Sequence, residues 1–265
     1  MRRAPLLWIV VCSVAALLTV PTLFLIPMSL TGGSTFQFPP PSWSLRWYRN
    51  LVEDRGWRDA VMVSLQVAVL STPMAVAIGT GAAFGLMRLG ARLRLIGAGA
   101  LSAPLVIPNI LIALAIYGMF LQMGLSGTIL GLVLGQTALA VPFVLIAVLA
   151  RLQGYDRNLT AAALSLGATP ATVFRTVTFP LVLPGIVAGG VFAFVASFDE
   201  LVIALLLQSP RTVTLPVQMF NAVVEAADPT ISAASTVLVV VVSAVILVAQ
   251  IGWTRRSEKR SGSGA

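Results

Sequence analysis

Apolar residues gather in six long runs, near 6–29, 60–86, 95–121, 128–150, 185–208 and 231–252. Each has about the 20 residues that an α-helix needs to cross a hydrocarbon core of about 30 Å. Polar and Gly/Pro-rich segments separate them, and the longest on the side of the termini is 151–184, too short for a soluble domain. The pattern predicts an all-α, polytopic membrane protein with six transmembrane helices, a single transmembrane domain over 1–265, and both ends on one side. The first run follows a basic start, "MRR", as a secretion signal would. Its apolar stretch is far longer than a signal core of about 7 to 15 residues and no A-x-A-like site follows, so it is expected to remain as the first span.

Composition agrees. Of 265 residues 58% are hydrophobic and 10% charged, and the mean hydropathy is +0.96, outside the range of soluble domains. The net charge of +8 would suggest nucleic acid in a soluble protein, but here the basic residues stand between apolar runs. Arg2, Arg3, Arg88, Arg92, Arg94, Arg151, Arg157, Arg175, Arg255, Arg256, Lys259 and Arg260 fall on one side. Arg46, Arg49, Arg55, Arg58 and Arg211 fall on the other, mixed with acids. The positive-inside rule then places both termini in the cytoplasm. There is no histidine, and the single cysteine, Cys12, lies in an apolar run, which excludes imidazole catalysis, an intrachain disulfide and a cysteine metal cluster. No metal site is expected.

Several features interrupt the apolar runs. In "FVASFDELVIALLL" at 194–207, Ser197, Asp199 and Glu200 sit within the fifth run. A carboxylate at the bilayer centre costs about 2.5–3.5 kcal/mol on insertion scales, so neither acid should face lipid. Ser197 with Glu200 three later fits a capping box, as if a broken span restarted there with Glu200 satisfying the Ser197 backbone. That leaves Asp199 unassigned, and the two acids together would suit an amine. With the fifth span starting after Pro184, Asp199 lies about 20 Å along it. The third run contains "APLVIPNI", where Pro104 and Pro108 remove backbone donors one turn apart beside Asn109. Such a break is tolerated beside protein or a water-filled cavity, so Asn109 and Tyr117 join Asp199, Glu200 and Ser197 as substrate-pathway candidates. Gly81/Gly85, Gly131/Gly135 and Gly185/Gly189 have the four-residue spacing of tight helix contacts. In 31–59, Trp43, Trp47 and Leu51 are spaced as one face of a short interfacial helix.

The 151–184 segment predicts two short helices bent at a glycine. Asn158 can cap the first, through "LTAAALSL", and Gly167 can take the left-handed turn at its end. Thr169 can cap a second with Pro170 at its first position, Arg175 near its end, and Pro180 and Pro184 stopping it. Helices this short are marginal alone, so the pair must dock on something; Ala161, Ala162 and Ala163 present a flat face.

At this point the chain resembles the permease subunits of binding-protein-dependent ABC importers. Their loop motif is Glu-Ala-Ala, three residues, Gly, and later a hydrophobic residue and a proline. Here these fall on Ala161, Ala162, Ala163, Gly167, Leu183 and Pro184, with Pro180 also where many members have one. Alanine at 161 departs from the family's acid, which helps seat the loop on the ATPase. Within the family the chain looks most like the spermidine/putrescine type, through Ser197, Asp199, Glu200, Pro210 and "TLPVQMF" at 214–220. The resemblance implies a type I ABC importer permease fold in a bacterial inner membrane. It implies as partners a second similar permease, two ABC ATPase subunits and an extracytoplasmic solute-binding protein. The loop, with Ala161, Ala162, Ala163, Gly167, Thr169, Arg175 and Pro180, would couple to the ATPases. No Gly-x-x-x-x-Gly-Lys-Ser/Thr loop is present, so this chain should be no enzyme and bind no cofactor, with ATP and Mg held by the partner. The solute would be a small cation such as a polyamine. An opine or amino-acid-like cargo stays open, as does an ion-coupled secondary transporter, although the related halves such a transporter would show are not found.

Overall fold

The computed structural model describes residues 4–35, 37–226, 228–241 and 243. Among these, ordered structure is almost entirely helical: α1 Ala4–Ser29, α2 Arg46–Glu53, α3 Arg55–Met87, α4 Ala91–Ser102, α5 Asn109–Gln122, α6 Ile129–Gln153, α7 Arg157–Ser165, α8 Pro170–Val173, α9 Phe179–Phe198, α10 Val202–Leu207, α11 Leu215–Asn221 and α12 Thr230–Val241. Four helices among the described residues are long and apolar enough to cross a membrane alone, and the bent pair α4 and α5 is so when its two helices are taken together. The sixth run, 231–252, is helical where described. The rest of it, the C-terminal basic cluster, and Arg2 and Arg3 lie outside the described residues.

The chain divides into two compact units, Met1–Arg58 with Met219–Ala265, and Asp59–Gln218. In the first, α1 is exposed along its apolar length, as a lipid-facing helix must be. Its end is tied to α2 by a 2.7 Å hydrogen bond between the Ser29 and Tyr48 hydroxyls, and Asn50 on α2 donates to the Thr230 hydroxyl at 2.9 Å. The expected aromatic face is shorter than predicted. The helix starts at Arg46, and Trp43 precedes it, exposed and paired with Thr31 in a β-bridge.

The second unit is built around α6, which packs along α9 and against α4, α5 and α10. Glycines set the closest approaches. A Cβ on Gly79 of α3 would lie 2.8 Å from Val144 Cβ, one on Gly189 of α9 2.8 Å from Val144 Cα, and one on Gly185 2.6 Å from Arg151 Cγ. These close approaches at glycine supply the packing on which helix association relies where lipid removes the hydrophobic drive. The Gly185/Gly189 pair is thus an interface, and a Cβ on Gly135 would lie 2.9 Å from Ile203 Cγ2. Gly81 and Gly85 are not: among the described residues nothing lies within 4 Å of a Cβ at either.

The third run is not one straight span. α4 ends in a tight turn at Ala103–Leu105, and α5 restarts at Asn109 after a bend of 91°. Pro104 and Pro108 supply the cause, because each lacks the N–H that would continue the helix. The 151–184 segment departs from expectation twice. Asp156, not Asn158, caps α7, its carboxylate accepting the Asn158 N–H at 2.9 Å. Pro180 and Pro184 do not stop the second helix. It begins at Thr169 and Pro170 as predicted, passes through a π-helical segment at Phe174–Thr178 and continues as α9, so one helix runs from Pro170 to Phe198. The wider π ring bonds the Phe179 N–H to the Phe174 carbonyl just before Pro180, absorbing the donor that the proline lacks. The fifth span therefore starts earlier than residue 185. Gly167, at φ +84°, makes the bend between α7 and this helix, as its missing Cβ allows.

Candidate functional site

α9 ends where its carbonyls turn back on the chain. The Asp199 N–H bonds to the carbonyls of Val195 and Ser197, and the Glu200 N–H reaches Ser197 at 3.4 Å. The Glu200 carboxylate then gathers the first amides of α10: Oε1 accepts from Val202 and Ile203, both at 2.9 Å, and Oε2 from Ala204 at 3.0 Å. Glu200 is 7% exposed. Its oxygens serve the orphan donors of a helix that restarts inside an apolar layer, where an unsatisfied N–H costs several kcal/mol. The expected break of the fifth span is present at this point; the expected capping box does not form. Ser197 lies inside α9, its hydroxyl donating to Gln136 Oε1 at 2.5 Å and lying 2.8 Å from the Ser71 hydroxyl.

Asp199 differs from its neighbour. It is exposed, and among the described residues no hydrogen bond or ion pair engages its carboxylate. It lines a cavity of about 360 Å³ together with Asn109, Pro104, Phe143, Ala196 and Glu200. The two broken spans thus meet at one cavity: the bend at Pro104–Asn109 forms one wall, the break at Asp199–Glu200 the other, and Leu139 and Phe143 of α6 the floor between them. The volume suits a small organic molecule, and the wall is apolar apart from Asn109 and the acids.

Of the pathway candidates, the structure brings Asp199, Glu200 and Asn109 together. Tyr117 lies two turns further along α5, half-buried against the apolar cluster of Val67, Phe120 and Ile203, away from this cavity. Ser197 is buried behind the break. Ser71 and Gln136, its partners, were not singled out from sequence; an isolated Gln within "LGLVLGQTALAV" was the available signal.

In the loop, α7 stands on its anchor Tyr155, whose hydroxyl bonds to that of Thr160 and, at 3.5 Å, to that of Thr178. Ala161 and Ala162 are exposed and Ala163 half-buried, Thr169 accepts the Thr172 N–H at 3.3 Å, and Arg175 lies in the π segment with Pro180 just beyond. Leu166, 89% exposed at the bend, is a prominent apolar side chain that the sequence reading passed over.

Residues 75–260 match the model of the family described as the binding-protein-dependent transport system inner membrane component. The putrescine transport system permease protein PotI of Escherichia coli (strain K12) is 33% identical over 230 residues, covering 82% of this chain and 80% of that protein. The spermidine/putrescine transport system permease protein PotC of the same organism is 28% identical over 239 residues, covering 90% of each. The molybdenum transport system permease protein ModB of Mycobacterium bovis is 33% identical over 207 residues, 72% of this chain and 77% of ModB. In three dimensions the fold matches the crystal structure of a bacterial ABC transporter involved in the import of the acidic polysaccharide alginate, with a TM-score of 0.72 at 17% identity and 96% of both chains covered. A multi-pass helical chain with this loop, these broken spans and these relatives belongs to the family of inner membrane components of binding-protein-dependent transport systems, as the permease subunit of an ABC importer.

Proposed function

We propose that this permease carries a small cationic organic solute, a polyamine such as putrescine or spermidine, and that Asp199 is the counter-charge that receives it. The carrying observation is the division of labour between the two acids: Glu200 is occupied by three backbone amides, whereas the Asp199 carboxylate stands exposed in the cavity where two broken spans meet. Likeness alone does not decide the cargo, since a putrescine and a molybdenum permease are equally identical to this chain. An exposed carboxylate on the route favours a cation and repels an anion. Asn109, across the cavity, supplies a neutral donor and acceptor for the same solute.

In this reading the chain is one transmembrane domain with cytoplasmic termini. It pairs with a second permease, two ATPase subunits that bind ATP and Mg, and an extracytoplasmic binding protein. α7, the Gly167 bend and the exposed Leu166 form the docking edge for an ATPase, the apolar contact of Leu166 replacing the acid that Ala161 lacks. Motion at that edge reaches Asp199 through one helix from Pro170 to Phe198, so the loop and the cavity are mechanically continuous. The test is ATPase activity of the complex in lipid nanodiscs with its binding protein, across amines, anions and neutral solutes. Stimulation by putrescine or spermidine supports the reading; stimulation by an anion alone ends it.

A further inference from the structure

Three helices of the Asp59–Gln218 unit meet through polar side chains at one point. Ser71 of α3, Gln136 of α6 and Ser197 of α9 are 0%, 2% and 3% exposed. The Ser197 hydroxyl donates to Gln136 Oε1 at 2.5 Å. Its single proton is then spent, so towards Ser71, 2.8 Å away, it can only accept. Ser71 therefore donates to Ser197 and Ser197 to Gln136, a directed chain across three helices. The other acceptor within reach of Ser71, the Ala68 carbonyl, is more distant at 3.3 Å.

This chain is not the sole contact among the three helices. The same three helices interlock where Gly79 and Gly189 close on Val144. Ser71, Gln136 and Ser197 each stand eight positions from that crossing along their own helices, about 12 Å at about 1.5 Å per residue. Interhelical hydrogen bonds in a membrane are individually modest, so the glycine crossing holds the helices while the polar chain sets their register at the far end.

What stands at that end is the break. The Ser197 side chain is held by two neighbouring helices, and its carbonyl in turn receives the amides of Asp199 and Glu200. We infer that Gln136 and Ser71 are positioning residues: through Ser197 they fix the height and rotation at which Asp199 enters the cavity, and thereby set the affinity for a cationic solute. The inference rests on the reading of Asp199 as the counter-charge.

The test is putrescine uptake against concentration by the full complex in proteoliposomes. Ser197→Ala, Gln136→Met and Ser71→Ala should each raise KM about three- to tenfold, with maximal rate and complex yield within about twofold of the parent. Ser197→Thr, which restores the hydroxyl, should bring KM back. In an Asp199→Asn background the same substitutions should leave KM where Asp199→Asn alone puts it, since they act through that carboxylate. Unchanged KM in all three, or an undiminished rise on top of Asp199→Asn, overturns the inference. So does collapse of complex yield in all three, which would assign the chain to assembly. An Asp199→Asn complex with the parent KM removes the counter-charge reading itself, a result distinct from the others.

Discussion

Glu200 Oε1 lies 2.9 Å from the amide nitrogen of Ile203, and the same oxygen also accepts from Val202 at 2.9 Å. An acid in the middle of an apolar run is here the cap of a half-helix. Its neighbour Asp199, one residue earlier, lines the same cavity with its carboxylate unengaged among the described residues.

Removing the cap should therefore act on stability. Glu200→Ala leaves three amides without that acceptor, those of Ile203 and Ala204 buried and that of Val202 half-buried, and should destabilise the permease by about 1–3 kcal/mol, read as a lower thermal unfolding temperature of the purified complex. Glu200→Gln, which keeps one acceptor oxygen, should fall between. A Glu200→Ala protein that unfolds with the parent would refute the capping role.

Removing the neighbouring charge should act on affinity. Asp199→Asn keeps the shape of the side chain and should raise the KM for a diamine about tenfold or more, the order expected for a charge pair in a partly dehydrated site. Complex yield should not change. Uptake kinetics across mono- and diamines decide it, with equal KM in parent and variant counting against the assignment.

The helix crossing gives a third expectation. Gly189→Leu drives a side chain into the Val144 backbone, where a Cβ alone would come to 2.8 Å, and should abolish recovery of folded permease. Gly85→Ala, at a position with no neighbour within 4 Å among the described residues, should fold as the parent does. Yield of monodisperse protein after detergent extraction separates the two.

At the loop, Gly167→Val forces a β-branched residue to φ +84° and should cost about 1–2 kcal/mol locally. Leu166→Asp places a charge on a side chain that is 89% exposed, leaves the fold intact and should lower the ATPase recovered with the permease. Undiminished co-purification with Leu166→Asp would move the docking edge elsewhere.

Much of this architecture was open to a reading of the chain. The long apolar runs, the prolines at 104 and 108, Gly167 and the Thr169–Pro170 start each act through backbone geometry within a few residues, and each appears where the local rule puts it. Where local rules competed, the reading failed. Pro180 and Pro184 are expected to end a helix, but the helix runs through both, a π-helical ring just before Pro180 absorbing the donor lost there. Asp156, two residues upstream of Asn158, starts the helix earlier by accepting the Asn158 N–H itself, so Asn158 lies inside the first turn and not at its cap. Ser197 and Glu200 had the spacing of a capping box, yet Ser197 was drawn into hydrogen bonds with α3 and α6, leaving Glu200 to cap forward.

Membrane residence, the bends at Pro104–Pro108 and Gly167, and a polar interruption of the fifth span are all legible along the chain, because hydropathy, proline and glycine act on the residues beside them. Which acid is engaged by backbone amides and which is left open to the cavity, the sharing of that cavity by both broken helices, and the place of Ser71 and Gln136 behind it emerge from the packing of helices distant in sequence. Those outcomes depend on the distance and rotation between helices, which are set by where glycines let backbones touch, and no window along one strand of sequence contains that information.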